Sequence, residues 1–244
     1  MKNPRNLLAV LAMVAAFGAG PAAGVVGADP AGAPHLPDLQ TLVPTDLRVQ
    51  VTGSTKRLRL TNTVANLGAG RLEIRPQNNE GSKTTVAFQR VYTHDDGAKK
   101  WSLAYENKIG TFAFHQAHNH WHLEGFARYD LLNRSGKVVR SSRKVSFCLV
   151  DSTAVPSASL PHAATARRYT SCSEDAVQGI SVGWGDIYSW SLAGQSINIT
   201  GLPNGRYRLR STADPFRRIQ ETDDTNNASV IRFKLRGRRI IVLD

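Results

Sequence analysis

The chain is poor in cysteine, with two among 244 residues, and that scarcity leaves no zinc-finger spacing to be built from thiolates. Acidic residues are also outnumbered: 19 Asp and Glu stand against 31 Lys and Arg, for a formal net charge of +12. The excess is scattered, densest at Arg167-Arg168, Arg217-Arg218 and Arg236 to Arg239. No recognition-helix pattern or aromatic RNA-binding motif accompanies it, so nucleic acid is not the expected partner. A generally basic surface suited to anionic polymers, such as those of a cell wall, is the expected meaning. No long amphipathic helix and no internal repeat is present. Beyond the N-terminal segment no apolar run is long enough to span a bilayer.

That N-terminal segment has its own signature. Lys2 and Arg5 precede an apolar run from Leu7 to about Ala19, and small residues follow up to Ala28, the composition of a secretory signal. Residues 1–28 are therefore expected to be a signal peptide, with residues 29–244 forming one exported, extracellular domain. Losing Lys2 and Arg5 lowers the charge from +12 to +10. In an oxidising compartment Cys148 and Cys172 are expected to pair. A bridge closing a loop of that size contributes about 3 kcal/mol when unstrained.

Alternating apolar and polar side chains mark strands at residues 47–51, 58–64, 71–75, 85–93, 137–150, 197–200, 206–211 and 230–235. Turn signals such as LGAG, NRSG and GLPNG separate them. The pattern predicts an all-β fold, a single antiparallel β-sandwich-like domain with long loops. The main irregular excursion runs from Asp151 to Gly179.

Four of the seven histidines fall within HQAHNHWH, residues 115–122. On a strand running from His118 to Asp130, a period of two puts His118, His120 and His122 on one face and Trp121, Leu123 and Tyr129 on the other. The odd face can bury itself. The three imidazoles stand about 7 Å apart at the backbone, close enough to converge on one zinc or copper ion. A histidine triplet on a merely polar sheet face is the bland alternative. His115, just before the strand, is open between a fourth ligand, a partner of the ligands and a base on the substrate side.

The run HQAHNHWHLEGFARYDLL (115–132), followed by RKVSFCLVDS (143–152), QGISVGWGDIY (178–188) and DDTNN (223–227), resembles the catalytic domain of lysyl oxidases over roughly Leu36 to Leu235. The extra cysteines and accessory domains of the animal enzymes do not accompany these motifs, so the resemblance implies a compact, microbial-type member. It implies copper(II) held by His118, His120 and His122, and a lysine tyrosylquinone formed from Lys144 and Tyr188. The reaction implied is oxidative deamination of a primary amine, either a peptidyl lysine or a small amine, to an aldehyde with release of ammonia and hydrogen peroxide. Asp186 is by resemblance the catalytic base; Glu124 and Asp130 are alternatives that could instead partner Arg128. If NRSG closes a hairpin, Lys144 falls opposite Phe126 and shares the histidine face. The resemblance also implies a calcium ion held by Asp38, the Leu39 carbonyl, Glu221, Asn226 and Asn227, all hard oxygen donors. DDTNN read simply as a polar turn is the alternative there. For the whole chain the competing function is a non-catalytic, wall-associated metal-binding module. A zinc hydrolase is disfavoured, because no second carboxylate-histidine motif accompanies the histidines.

Overall fold

A computed structural model describes residues 32–77, 82–116, 119–142, 145–157, 159–173 and 177–243. The expected signal peptide, His118 and Lys144 lie outside these described residues. The strands in chain order begin with β1 (Pro34–His35), β2 (Leu39–Thr41), β3 (Thr45–Thr52), β4 (Thr55–Asn66), β5 (Leu72–Pro76) and β6 (Thr84–Asp95). Then come β7 (Lys100–His115), β8 (His120–Leu132), β9 (Val138–Ser141), β10 (Val145–Phe147), β11 (Thr153–Ala154) and β12 (Gln178–Ile180). β13 (Trp184–Tyr188), β14 (Ser196–Asn198), β15 (Gly205–Ala213), β16 (Ala228–Arg236) and β17 (Arg239–Leu243) complete the order.

Among the described residues every strand pairing is antiparallel. The larger sheet runs β12-β5-β6-β7-β8-β15-β16-β17, with β1 on β6 and with β9 and β10 on β8. The smaller runs β11-β13-β4-β14, with β2 and β3 also on β4. Leu58, Leu60 and Val64 from β4 belong to the same buried cluster as Phe126, Tyr129 and Leu131 from β8 and Leu209 from β15. The core therefore lies between two sheets, each contributing one apolar face. Among the described residues no helix is long and apolar enough to cross a membrane.

β8 shows how side-chain period creates the site. Trp121, Leu123 and Tyr129 are buried while His120 and His122 are only partly so, the alternation expected of a strand with one face in the core. The alternation breaks at Gly125, whose φ of +73° lies in the left-handed region, which glycine enters without steric cost. Beyond it Phe126 turns into the core at 2% exposure. Phe126 therefore does not follow the even-numbered histidines onto their face, and Lys144, expected opposite it, lies outside the described residues.

The expected strand 137–150 is likewise divided into β9 and β10. Phe147 sits opposite Leu123 in the anticipated register, and an irregularity then sets Val145 opposite Ala127. The hairpin closes at the predicted NRSG turn, where the Gly136 N–H donates to the Asn133 carbonyl at 3.1 Å. β7, β12, β13 and β17, and the short β1, β2 and β11, lie outside the strands expected from the sequence, β11 within the stretch read as irregular.

Candidate metal and cofactor site

The histidine side of β8 brings its first two imidazoles together. Nε2 of His120 and Nε2 of His122 are 2.9 Å apart, with ring centroids separated by 4.8 Å. His115, at the end of β7, lies opposite His120 in register and stacks on His122 at 4.6 Å with planes 21° apart. The backbone beneath is fixed by Trp121 and Leu123, at 7% and 4% exposure. Two nitrogens each about 2.0 Å from a metal and at right angles lie about 2.8 Å apart. The spacing of His120 and His122 thus fits two ligands of one ion.

These histidines form one wall of a cavity of about 490 Å³ that Asp186 and Tyr188 also line. Those two residues sit at alternate positions of β13, so their side chains share a face. β13 is held by pairing with β4, Asp186 opposite Val64 and Tyr188 opposite Asn62. The Tyr188 ring stacks on Phe147 with centroids 3.5 Å apart. Its hydroxyl donates to Oδ2 of Asp186 at 2.6 Å and also faces the Cys148 carbonyl oxygen. The tyrosine is only partly buried as a residue and lines the cavity.

Asp186 is 2% exposed and accepts hydrogen bonds from the Val150 N–H at 3.3 Å and from Ser152 Oγ at 3.1 Å. Burial pushes its pKa up to about 7 against these donors, and the nearby charge of Asp151 adds to the rise. Burial, and then the Asp186 carboxylate, also raises the Tyr188 phenol well above its ordinary value. The cavity is also lined by the expected disulfide, Cys148–Cys172, with Cα atoms 5.9 Å apart.

The other two candidate bases lie elsewhere. Asp130 accepts from Arg128 Nε at 3.2 Å, Arg210 Nη2 at 2.7 Å and Ser141 Oγ at 2.6 Å. Burial alone would raise its pKa, but these donors and charges together hold it below the usual range. It is a structural anion. Glu124 is exposed on β8, and neither residue lines the cavity. Sequence reasoning missed Phe147, the Cys148 carbonyl and Ser152 as the immediate surroundings of Tyr188. All three fall in RKVSFCLVDS, so the signal was present in the motif without being assigned to side chains.

The five residues expected around calcium also converge. Glu221 accepts from the Leu39 N–H at 2.7 Å through Oε2 and from Asn227 Nδ2 at 2.7 Å through Oε1. Asn226 Nδ2 donates to Asp38 Oδ1 at 2.9 Å. The amide oxygens of Asn226 and Asn227 are both buried with no hydrogen-bond partner among the described residues. Burial raises the Glu221 carboxyl to about 8.

The family model for lysyl oxidase matches residues 88–244. Lysyl oxidase homolog 2 of Gallus gallus is 34% identical over 136 residues, covering 55% of this chain and 16% of the relative. Lysyl oxidase homolog 3A of Danio rerio is 34% identical over 131 residues, 53% of this chain and 17% of the relative. Lysyl oxidase homolog 3 of Homo sapiens is 35% identical over 133 residues, 54% of this chain and 17% of the relative. The matched part of each relative is thus about a sixth of its length.

Proposed function

The chain belongs to the lysyl oxidase family, and on that premise we propose that it is a secreted, copper- and quinone-dependent amine oxidase acting on primary amines. The observation that carries this reading is a single cavity with two converging imidazoles on one wall and a hydrogen-bonded Asp186–Tyr188 pair on another. His120 and His122 would hold copper(II), with His118 as the third ligand by resemblance. Neutral imidazole is a suitable donor for that ion. Tyr188, joined to Lys144, would provide the lysine tyrosylquinone. When bound, copper and the quinone would supply the electron-accepting chemistry by which a primary amine, with dioxygen as oxidant and water as co-substrate, is converted to an aldehyde, ammonia and hydrogen peroxide.

The remaining work falls to the chain's own side chains. Asp186 ionises near neutrality because it is dry, so it can take a proton from a substrate carbon and later return one. Ser152 and the Val150 N–H fix its carboxylate, and Phe147 holds the Tyr188 ring in one plane. Val145, Val150 and Leu192 make the cavity apolar enough to take an alkyl amine in its neutral form. A calcium ion held by Asp38, the Leu39 carbonyl, Glu221, Asn226 and Asn227 completes the proposal. The donor set suits that cation, and the two orphaned amide oxygens are the atoms it would satisfy.

The test is a peroxide-release assay over peptidyl lysine, polyamines and small monoamines, using copper-loaded protein and its His120→Ala variant. The reading predicts amine-dependent peroxide from the wild type, and loss of both copper and quinone staining in the variant. Copper-loaded wild type that neither stains nor turns over any amine would instead identify a binding module. Normal copper content and full activity in His120→Ala would remove the assigned ligands.

A further inference from the structure

The three histidines outside the 115–122 run are His35, His94 and His162, isolated from one another in sequence. The fold gathers them at one place. The His94 and His162 rings lie 4.3 Å apart between centroids, His35 and His162 5.0 Å, and His35 and His94 6.3 Å. Trp101, opposite His94 in the β6–β7 register, packs on all three at 4.6 to 5.4 Å. Asp96, at the tip of that hairpin, places Oδ1 2.8 Å from Nδ1 of His94. One ligand atom each from His94, Asp96 and His162 lies within 4.8 Å of the other two.

We propose that His94, Asp96 and His162, with His35 beside them, form a second metal site for a divalent transition ion of the zinc class. Imidazole nitrogen and one carboxylate oxygen are donors that zinc takes readily in tetrahedral geometry. Ligand atoms around such an ion lie roughly 3.3 Å apart, so closing from 4.8 Å requires only small rotations of side chains. Asp96 is 85% exposed at its side chain and can swing. His94 is 10% exposed and supplies the fixed point. Arg71 lies over Trp101 at 5.1 Å, and its charge is offset by Glu73 at 3.4 Å.

His162 occupies the left-handed region at φ +58°, a backbone state that is unfavourable for a non-glycine residue and calls for a compensating interaction. This group and the β8 histidines sit near opposite ends of β7, Trp101 close to its start and His115 at its end. An extended strand rises roughly 3.3 Å per residue, so one ion cannot serve both. The role is structural. An ion here ties β1, the β6–β7 hairpin tip and the loop carrying His162 into one unit, and stabilises that arrangement because only the folded chain presents the ligands together.

The test uses the full chain with His118, His120 and His122 all changed to Ala, chelator-stripped and then titrated with zinc chloride in millimolar calcium. One tightly bound zinc per chain is expected by native mass spectrometry and calorimetry. Adding His162→Gln or Asp96→Asn should weaken it by about tenfold or more, since changing even a group that only supports a ligand costs about 10–100-fold in metal affinity. Asp96 is exposed, so its variant should keep the metal-free circular dichroism and unfolding midpoint. Natively folded triple variant that binds no zinc at roughly tenfold excess would overturn the proposal. So would zinc binding indifferent to both added substitutions.

Discussion

Asp186 shows how one buried side chain can link stability to catalysis. Its folded-state pKa of about 7 stands above the ordinary 3.8, so between those values the folded chain holds a proton that the unfolded chain has released. Stability from this group is fully present below about pH 4 and is lost as pH rises through about 7. Asp186→Asn keeps the shape and removes the titration. Urea denaturation at a series of pH values should therefore show a shallower fall between pH 4 and 7 in the variant than in the wild type. Glu221, raised by burial to about 8, contributes a falling slope in the same window and does so equally in both proteins. In peroxide release the wild type should gain rate through about pH 7 as the carboxylate forms. The variant should lose that limb and fall by roughly 10²- to 10⁴-fold, the usual contribution of a positioned base. An unchanged pH profile would assign the base elsewhere.

At the scale of elements, the motif QGISVGWGDIY is as much a packing device as a chemical one. A Cβ at Gly179 would come 2.2 Å from the Leu72 carbonyl oxygen and 2.8 Å from the Tyr169 ring, and the carbonyl belongs to the partner strand β5, which cannot yield. Gly179→Ala is expected to cost on the order of 2–4 kcal/mol, read as a lowered urea midpoint; a shift under about 0.5 kcal/mol would show that β12 packs more loosely. The strands legible in sequence were those with one dry face, such as β4, β8 and β15. β7 escaped notice because only Ile109 and Phe112 of its length are buried, and β17 because none of it is. A strand with little contrast between its faces carries little period. The histidine pair was legible from spacing within one strand. The surroundings of Tyr188 were not, because Phe147, Ser152 and Tyr188 meet only when β10, β13 and the chain after β10 are brought together. His35, His94 and His162 were invisible for the same reason.

For the whole molecule, the segments around Asp38 and Asn227 are joined through a hydrogen bond spanning 182 residues of chain, Leu39 to Glu221. If calcium completes that junction, an excess of chelator should lower the thermal midpoint by about 5 °C or more, since ligand at about a hundred times its Kd stabilises by roughly 2.7 kcal/mol. An unchanged midpoint with no calcium by elemental analysis would leave the junction held by hydrogen bonds alone. The copper and quinone reading would stand untouched by that result. Its most direct test is peptide mass mapping of copper-loaded, active protein. The account predicts one cross-linked species carrying residues 144 and 188, absent from Tyr188→Phe. Fully active protein that yields these two residues on separate, unmodified peptides would contradict it.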